Sequence, residues 1–449
     1  MLVIGLKPMP NFVSPDTIRS HFSSAMSQMY RAEVPAYGDL IDIVKQTNQD
    51  ILAHHSMADE DSARLSEERH GAIRVGTADE LAMIGRIFKI MGMYPVSYYD
   101  LGSAGIPVHS TAFRPIERDA LAQNPFRVFT SLLRLEMIED EELRHSAEEL
   151  LQSRQIFTSQ AIMLTNKAEE EGGLTKSDAD SFVSEVLETF RWTGKARVNE
   201  ALYQKLHDAH RLIADVVSFT GPHINHLTPR TLDIDTAQRA MIDSNLPAKA
   251  VIEGPPARHC PILLRQTSFK ALKEDVTFLD SDGLSGHTAR FGEIEQRGIA
   301  LTPKGRALYD SLLNKVRATI TPAADGSNAD AYQQALSDIF TAFPDEWAQL
   351  HEDGLAYFRF DAPECAKDDS AIITKDGQQL AITPIIYEDF LPVSAAGIFQ
   401  SNLGDDATQT HHATASKTAF EQALGTPVID EFALYQSIQD DSLRSASSR

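Results

Sequence analysis

The amino-acid sequence predicts an α+β protein in which two βαβββ modules form a half-open sheet around a concave site, with helical insertions. Three observations lead there. Residues 66–135 read as strand, helix and three strands. The same order returns over residues 214–300. The stretch between them, residues 136–213, carries apolar residues at helical spacing and much of the acidic charge. The two modules share an order of elements and hardly any residues. Paired units of this kind curl into an open sheet with a hollow inner face.

Each element has its own warrant. Residues 14–60 contain two N-terminal helices: "DTIRSHFSSAMSQMY", capped by Asp16, and a second that Pro35 separates from it. "RHGAIRV" (69–75) is a strand. "TADELAMIGRIFKIMG" is a helix with Thr77 as N-cap, Glu80 as its capping-box partner and Gly92 as terminator. "YPVSYYDL", "VHSTAFRP" and "FRVFTSLLR" are strands bounded by Gly and Pro. In the second module "PHINHLTP" is the opening strand and "DIDTAQRAMIDSN" the helix. "AKAVIEGP", "PILLRQTSFKAL" and "TARFGEIEQRG" complete it. Residues 301–435 supply helices and strands that close the pocket, and 436–449 is a polar tail expected to be disordered. The whole, 1–449, is read as a single large domain.

Composition narrows the function. A 449-residue chain with 42% hydrophobic residues can bury a sizeable core. A net charge of -23 without a basic stripe argues against nucleic acid as partner and against anionic membrane surfaces. No stretch approaches a membrane span, and the N-terminal apolar run is cut off by Lys7 and Pro8. Two cysteines, Cys260 and Cys365, without paired spacing point to a reducing, cytoplasmic compartment.

Alternate residues of a strand share a face. His70, Ala72 and Arg74 therefore point one way, as do His226, Thr228 and Arg230, and Glu293, Glu295 and Arg297. His70 and His226 lie on the opening strand of each module and Glu293 on the closing strand of the second, so a pseudo-twofold would bring them together. Two imidazoles and a carboxylate on one side of an ion leave positions open for substrate and dioxygen, which suits non-haem Fe(II); Zn(II) and Mn(II) accept the same ligand types. Each residue also has a bland reading. A histidine in a strand is most often a hydrogen-bonded core or edge residue, and a strand glutamate is most often paired with arginine, here Arg290 or Arg297. Glu295 competes with Glu293 on the same face. His223 sits at an odd offset from His226, as a structural or supporting residue. His109 and His287 are further candidates for the cavity.

Arginines in strands carry a second signal. Arg74, Arg114, Arg230, Arg265 and Arg297 all fall in or beside predicted strands. A guanidinium stays charged, so each one that is buried must meet a protein carboxylate or an anionic ligand.

The blocks "ERHGAIRVGT", "GMYPVSYYDL", "VHSTAFRP", "HINHLTPRTLDID", "LLRQTSFKAL", "RFGEIEQRG" and "YEDFLPVSAAGIFQSNL" together resemble the 2-oxoadipate dioxygenase/decarboxylase (2-hydroxyglutarate synthase) family, over about residues 14 to 435. The resemblance implies the vicinal oxygen chelate fold and an Fe(II) site of His70, His226 and a glutamate. The "EIEQR" run resembles the closing strand of 4-hydroxyphenylpyruvate dioxygenase, which puts Glu293 in the ligand position and leaves Glu295 as the fallback. Arg74 matches the family's specificity arginine, and Val393 and Ser394 match a pair near its pocket. The implied reaction converts a 2-oxo dicarboxylic acid, 2-oxoadipate, and O2 into 2-hydroxyglutarate and CO2, in lysine catabolism. A metal-dependent isomerase or lyase of the same superfamily, without oxygen uptake, and a non-catalytic 2-oxo acid binding protein are the alternatives.

Overall fold

Two proline-led helices open the chain: α1 (Pro15–Glu33) and α2 (Pro35–Leu52). Proline suits the first helical turn, whose N–H groups lack intrahelical partners. The cap of α1 is Ser14, which accepts from the Thr17 N–H, and not Asp16 as expected; Pro15 at the first position moves the start back by two residues. The structure is a computed structural model that describes residues 11–54, 64–280, 285–288, 290–323, 325–366, 370–375, 377–391 and 409–447.

The first module follows the expected order: β1 (Arg69–Val75), α3 (Ala78–Ile90), β2 (Tyr94–Asp100), β3 (Val108–Arg114) and β4 (Arg127–Leu133), with a short helix α4 (Arg118–Gln123) before the last strand. Thr77 caps α3 and Gly92 ends it with φ +67°. Glu80 does not close the capping box. Its carboxylate instead accepts from the Gly76 N–H and pairs with Arg154, tying α3 to the helical insertion. That insertion comprises α5 (Glu141–Gln152), α6 (Ser159–Glu171), α7 (Lys176–Glu188), α8 (Glu200–Ala209) and α9 (Arg211–Ser218), and so runs five residues past its expected end.

The second module contains β5 (His226–Pro229), α10 (Ile234–Asp243), β6 (Leu264–Ser268) and β9 (Phe291–Arg297). Between β6 and β9 lies a hairpin not expected from the sequence, β7 (Lys273–Val276) with β8 (Ser285–Thr288). "AKAVIEGP" is not a continuous strand; it pairs with the β6 segment at the isolated bridges Ala248–Phe269 and Glu253–Gln266.

Apart from the β7–β8 hairpin, these strands form one seven-stranded sheet, ordered β2-β3-β4-β1-β5-β9-β6. The two opening strands pair antiparallel at its centre, Arg69 opposite Pro229 and Gly71 opposite Leu227. Each lies parallel to its own module's closing strand, β1 to β4 and β5 to β9. The pseudo-twofold is therefore written in the hydrogen bonding. The bridges from 248–253 occupy the place that β2 holds in the first module. Gly71 is required at the seam: a Cβ there would lie 2.7 Å from Ile224 Cδ1 and 3.1 Å from the His226 carbonyl oxygen.

Strand alternation separates the two faces. Ile73, Val75, Phe113, Val128, Leu227 and Ile294 join one buried layer with Phe22, Leu40 and Phe88 of α1–α3. Each such side chain contributes roughly 1.5–3 kcal/mol on full burial, so this layer anchors the sheet. The opposite face presents His70, Arg74, His226 and Glu293. Around it pack α11 (Pro303–Thr319), α12 (Ala329–Phe340), α13 (Trp347–Glu352) and a three-stranded sheet of β10 (Phe358–Asp361), β12 (Gln378–Pro384) and β11 (Ala371–Lys375). The chain ends in α14 (Gln409–Leu424) and α15 (Glu431–Ser447). The tail expected to be disordered is thus helical. Its Gln439 and Ser442 side chains accept from the Phe358 and Phe360 N–H groups of edge strand β10, and Tyr435 is buried. Among the described residues no helix is long and apolar enough to cross a membrane.

Candidate metal centre

The register of three adjacent strands builds the site. His70 on β1 lies opposite Thr228 on β5, and the β5–β9 pairing of Leu227 with Gly292 carries the row on to Glu293. His226 is two residues along from Thr228, on the same face. One potential ligand atom from each of His70, His226 and Glu293 therefore lies within 4.8 Å of the others, and all three residues are buried. The imidazoles stand at 88° to each other with centroids 5.5 Å apart. Thr228, small and central, leaves the space between them open and donates to Glu293 Oε1 at 3.2 Å; Gln266 Nε2 donates to the same oxygen at 2.9 Å.

The two glutamates that the sequence left in competition take different places around one ring. His70 Nε2 is 3.3 Å from Glu293 Oε1, while His70 Nδ1 is 2.9 Å from Glu295 Oε2. Glu295 also accepts from Arg297 Nε and Nη2, at 2.9 and 2.8 Å. Glu293 is the carboxylate that groups with His70 and His226, and Glu295 stands against the opposite edge of the His70 ring.

Electrostatics suit a cation. Burial pushes His226 down to about 3, more than Glu293 raises it, so its imidazole is neutral and able to ligate. Its Nδ1 is buried with no hydrogen-bond partner among the described residues. Burial would also lower His70, but Glu295 and Glu293 together raise it. Burial opposes ionisation of Glu293, yet the hydrogen bond to His70 holds it below the usual carboxylate range. Two imidazoles, each with a buried Nδ1 that makes no hydrogen bond among the described residues, and an ionised carboxylate fit a divalent first-row metal.

Every buried strand arginine singled out in the sequence meets a carboxylate. Arg114 grips Asp389 with two nitrogens, Arg265 grips Asp235 the same way, Arg230 meets Glu68 at 2.9 Å, and Arg74 meets Asp215 at 2.8 Å. Behind His70, Glu68 contacts Arg127, Arg230 and Arg64, and Arg127 pairs in turn with Glu388. Phe390, two residues on from Glu388, sets its ring edge-on to His70 at 4.9 Å.

Arg74 shares the His70 face and borders a cavity of about 410 Å³. Phe291, stacked on His226 at 4.8 Å, lines the same cavity and stands between it and the triad, whose own three residues are not part of the cavity wall. His287 lines it too. His223 approaches Asp215 at 3.5 Å and supports the cluster around Arg74. His109 does not face the cavity; its place on β3 turns it outward against Tyr98 and Phe420. Val393 and Ser394 lie outside the described residues. Sequence reasoning missed Glu68, Arg127 and Gln266, which no local pattern marks, and Asp215. A lone acid inside the apolar run "LIADVVSF" was a usable sign of a buried charge.

The fold and the site define a two-module α+β protein with an enclosed two-histidine, one-glutamate cluster of the kind that holds a single divalent metal. Comparison with known proteins makes this specific: the chain belongs to the 2-oxoadipate dioxygenase/decarboxylase family, whose model matches residues 22–402, and it is an enzyme of that family. It is 55% identical over 455 residues to a protein of Pseudomonas putida named 2-oxoadipate dioxygenase/decarboxylase, covering 98% of both chains. An Escherichia coli protein of the same name is 54% identical over 450 residues, covering 97% of this chain and 99% of that one. The crystal structure of Pseudomonas putida hydroxyglutarate synthase in complex with 2-oxoadipate superposes with a TM-score of 0.88 at 54% identity, covering 98% and 99%.

Proposed function

We propose that the protein uses Fe(II), held by His70, His226 and Glu293, to convert 2-oxoadipate and O2 into 2-hydroxyglutarate and CO2, as a cytoplasmic step of lysine catabolism. The atoms balance: C1 leaves as CO2, C2 becomes a carboxylate and C3 gains a hydroxyl, which together take up both oxygen atoms. The observation that carries this reading is the meeting of the three residues on one sheet face, in a chain 54% identical to a protein crystallised with 2-oxoadipate.

Bound Fe(II) would supply redox chemistry and open positions for a 2-oxo acid and dioxygen. The chain's own residues do the rest. Gln266 and Thr228 hold Glu293 in one rotamer, and Glu295 sets the tautomer and tilt of His70. Phe291 and Phe390 cover the two imidazoles with apolar rings and keep bulk water from them. Arg74, on the face of His70 and four residues along, would grip the far carboxylate and aim C3.

The test is anaerobic loading with Fe(II), then addition of 2-oxoadipate and oxygen. Equimolar CO2 and 2-hydroxyglutarate with matching oxygen uptake are expected, and both should vanish in His226→Ala. Turnover without oxygen uptake would sink the reading in favour of an isomerase or lyase.

A further inference from the structure

Arg74 reaches the cavity inside a hydrogen-bonded chain that no functional assignment covers. Asp215 on α9 accepts from Arg74 Nη1 at 2.8 Å through one oxygen. Its other oxygen meets His287 Nε2 at 3.1 Å, and His223 Nε2 stands 3.5 Å from that same atom. On the far side of its ring, His287 Nδ1 is 2.8 Å from the Tyr203 hydroxyl on α8. Arg74, Asp215, His287 and Tyr203 all line the one cavity. The chain joins four separate elements: a strand of the first module, two helices of the insertion and the unexpected hairpin of the second module.

We propose that Asp215, steadied by His287 and Tyr203, is a positioning residue that aims the Arg74 guanidinium at the distal carboxylate of a dicarboxylic 2-oxo acid. This rests on the reading of Arg74 given above. A guanidinium is a rigid plane of five donors, so fixing one nitrogen fixes the direction of the others. Asp215 also supplies the charge that lets a buried arginine exist before substrate arrives. It is held in turn from the side away from Arg74, so the guanidinium cannot swing without breaking a buried bond. The rest of the lining agrees with an anionic guest. Arg211, Lys249 and Lys270 border the same cavity, in a chain whose net charge is -23. At about 410 Å³ it lies toward the small end of ligand pockets, roughly 300–1,000 Å³, as befits a six-carbon diacid. The helical insertion would thereby have a function: it delivers the residues that read substrate length.

The experiment is anaerobic calorimetry on Fe(II)-loaded protein with 2-oxoadipate and with 2-oxohexanoate, which has the same chain but no distal carboxylate. It is paired with kcat and KM for both. Wild-type protein should bind the diacid more tightly. Asp215→Asn should weaken 2-oxoadipate about tenfold or more, the scale of a hydrogen bond between charged groups, while 2-oxohexanoate changes less than about threefold. The loss should fall on KM more than on kcat. Tyr203→Phe removes a single oxygen at the end of the chain and serves if Asp215→Asn does not fold; it should weaken the diacid alone, by about two- to fivefold. Equal losses for both acids, or none for either, would overturn the proposal. Selective diacid binding without turnover would leave it standing and defeat the reaction proposed above.

Discussion

Two clusters of arginine and carboxylate lie on the same face of the sheet, either side of the triad, and they differ in what surrounds them. Behind His70, Glu68, Arg127, Glu295 and Arg297 have side chains at 0% exposure, and they pair among themselves and with Arg64, Arg230 and Glu388. Beside the cavity, the Arg74 and Asp215 side chains keep 11% and 8% exposure and border open space. The first set is closed: its carboxylates are paired with arginines inside the protein, and its output is the position of one histidine. The second is open: its charges are satisfied well enough to fold, with a cavity left for an anion. The residue types are the same; enclosure decides between support and recognition.

The comparison is tested hardest at Arg127. It bridges Glu68 and Glu388, and Arg127→Ala would leave both carboxylates buried with fewer partners. Breaking a buried pair from one side costs ~3–5 kcal/mol, so the variant should unfold at much lower denaturant concentration. If it keeps wild-type stability, the carboxylates behind His70 do not depend on enclosed arginine partners. Arg74→Ala should show the reverse balance: a smaller loss of stability, because His287 and His223 still attend Asp215, and a fall in kcat/KM for 2-oxoadipate of about 100-fold, the scale of a ~1 Å misplacement. An unchanged kcat/KM would remove Arg74 from substrate recognition.

Glu295→Gln separates supporting from ligating carboxylates. It keeps the shape and removes the charge facing His70 Nδ1. Loss of such an outer partner costs roughly 10–100-fold in metal affinity or activity. Glu293→Gln should cost more than that in iron content, measured on anaerobically loaded protein. Equal losses from the two would mean that the roles assigned to them are wrong.

Much of the frame was legible because it rests on local signals. The β1 and β9 periodicities, the Thr77 cap and the Gly92 stop are written within a few residues of where they act. The triad was legible only as a choice among several, since Glu293 and Glu295 share a face. Their separation follows from which side of the His70 ring each reaches, and that is set by the register of β1, β5 and β9 across 220 residues of chain. The β7–β8 hairpin and the helical tail were missed for a related reason. Short polar runs such as "KEDV" and "QDDSLRSAS" have weak periodicity, and tertiary partners determine their form: His287 bound to Asp215 and Tyr203, and α15 side chains closing the edge of β10.

The smallest expected effect concerns acid. Burial alone would raise Glu295, but Arg297 and His70 bring it down to about 2; Glu388 also falls to about 2, against its burial, through Arg64 and Arg127. Both carboxylates thus have folded values below the unfolded one of about 4.3. Their contribution to stability is fully present above about pH 4.3 and is lost as the pH falls towards about 2. The apoprotein should accordingly lose stability steeply across that window. Glu295→Gln, with one such group removed, should start less stable and lose less over the same range. A slope in Glu295→Gln as steep as in wild-type protein would show that acid acts through groups outside the closed cluster. A shallower one would confirm that Glu295 is held ionised by Arg297 and His70 in the folded protein.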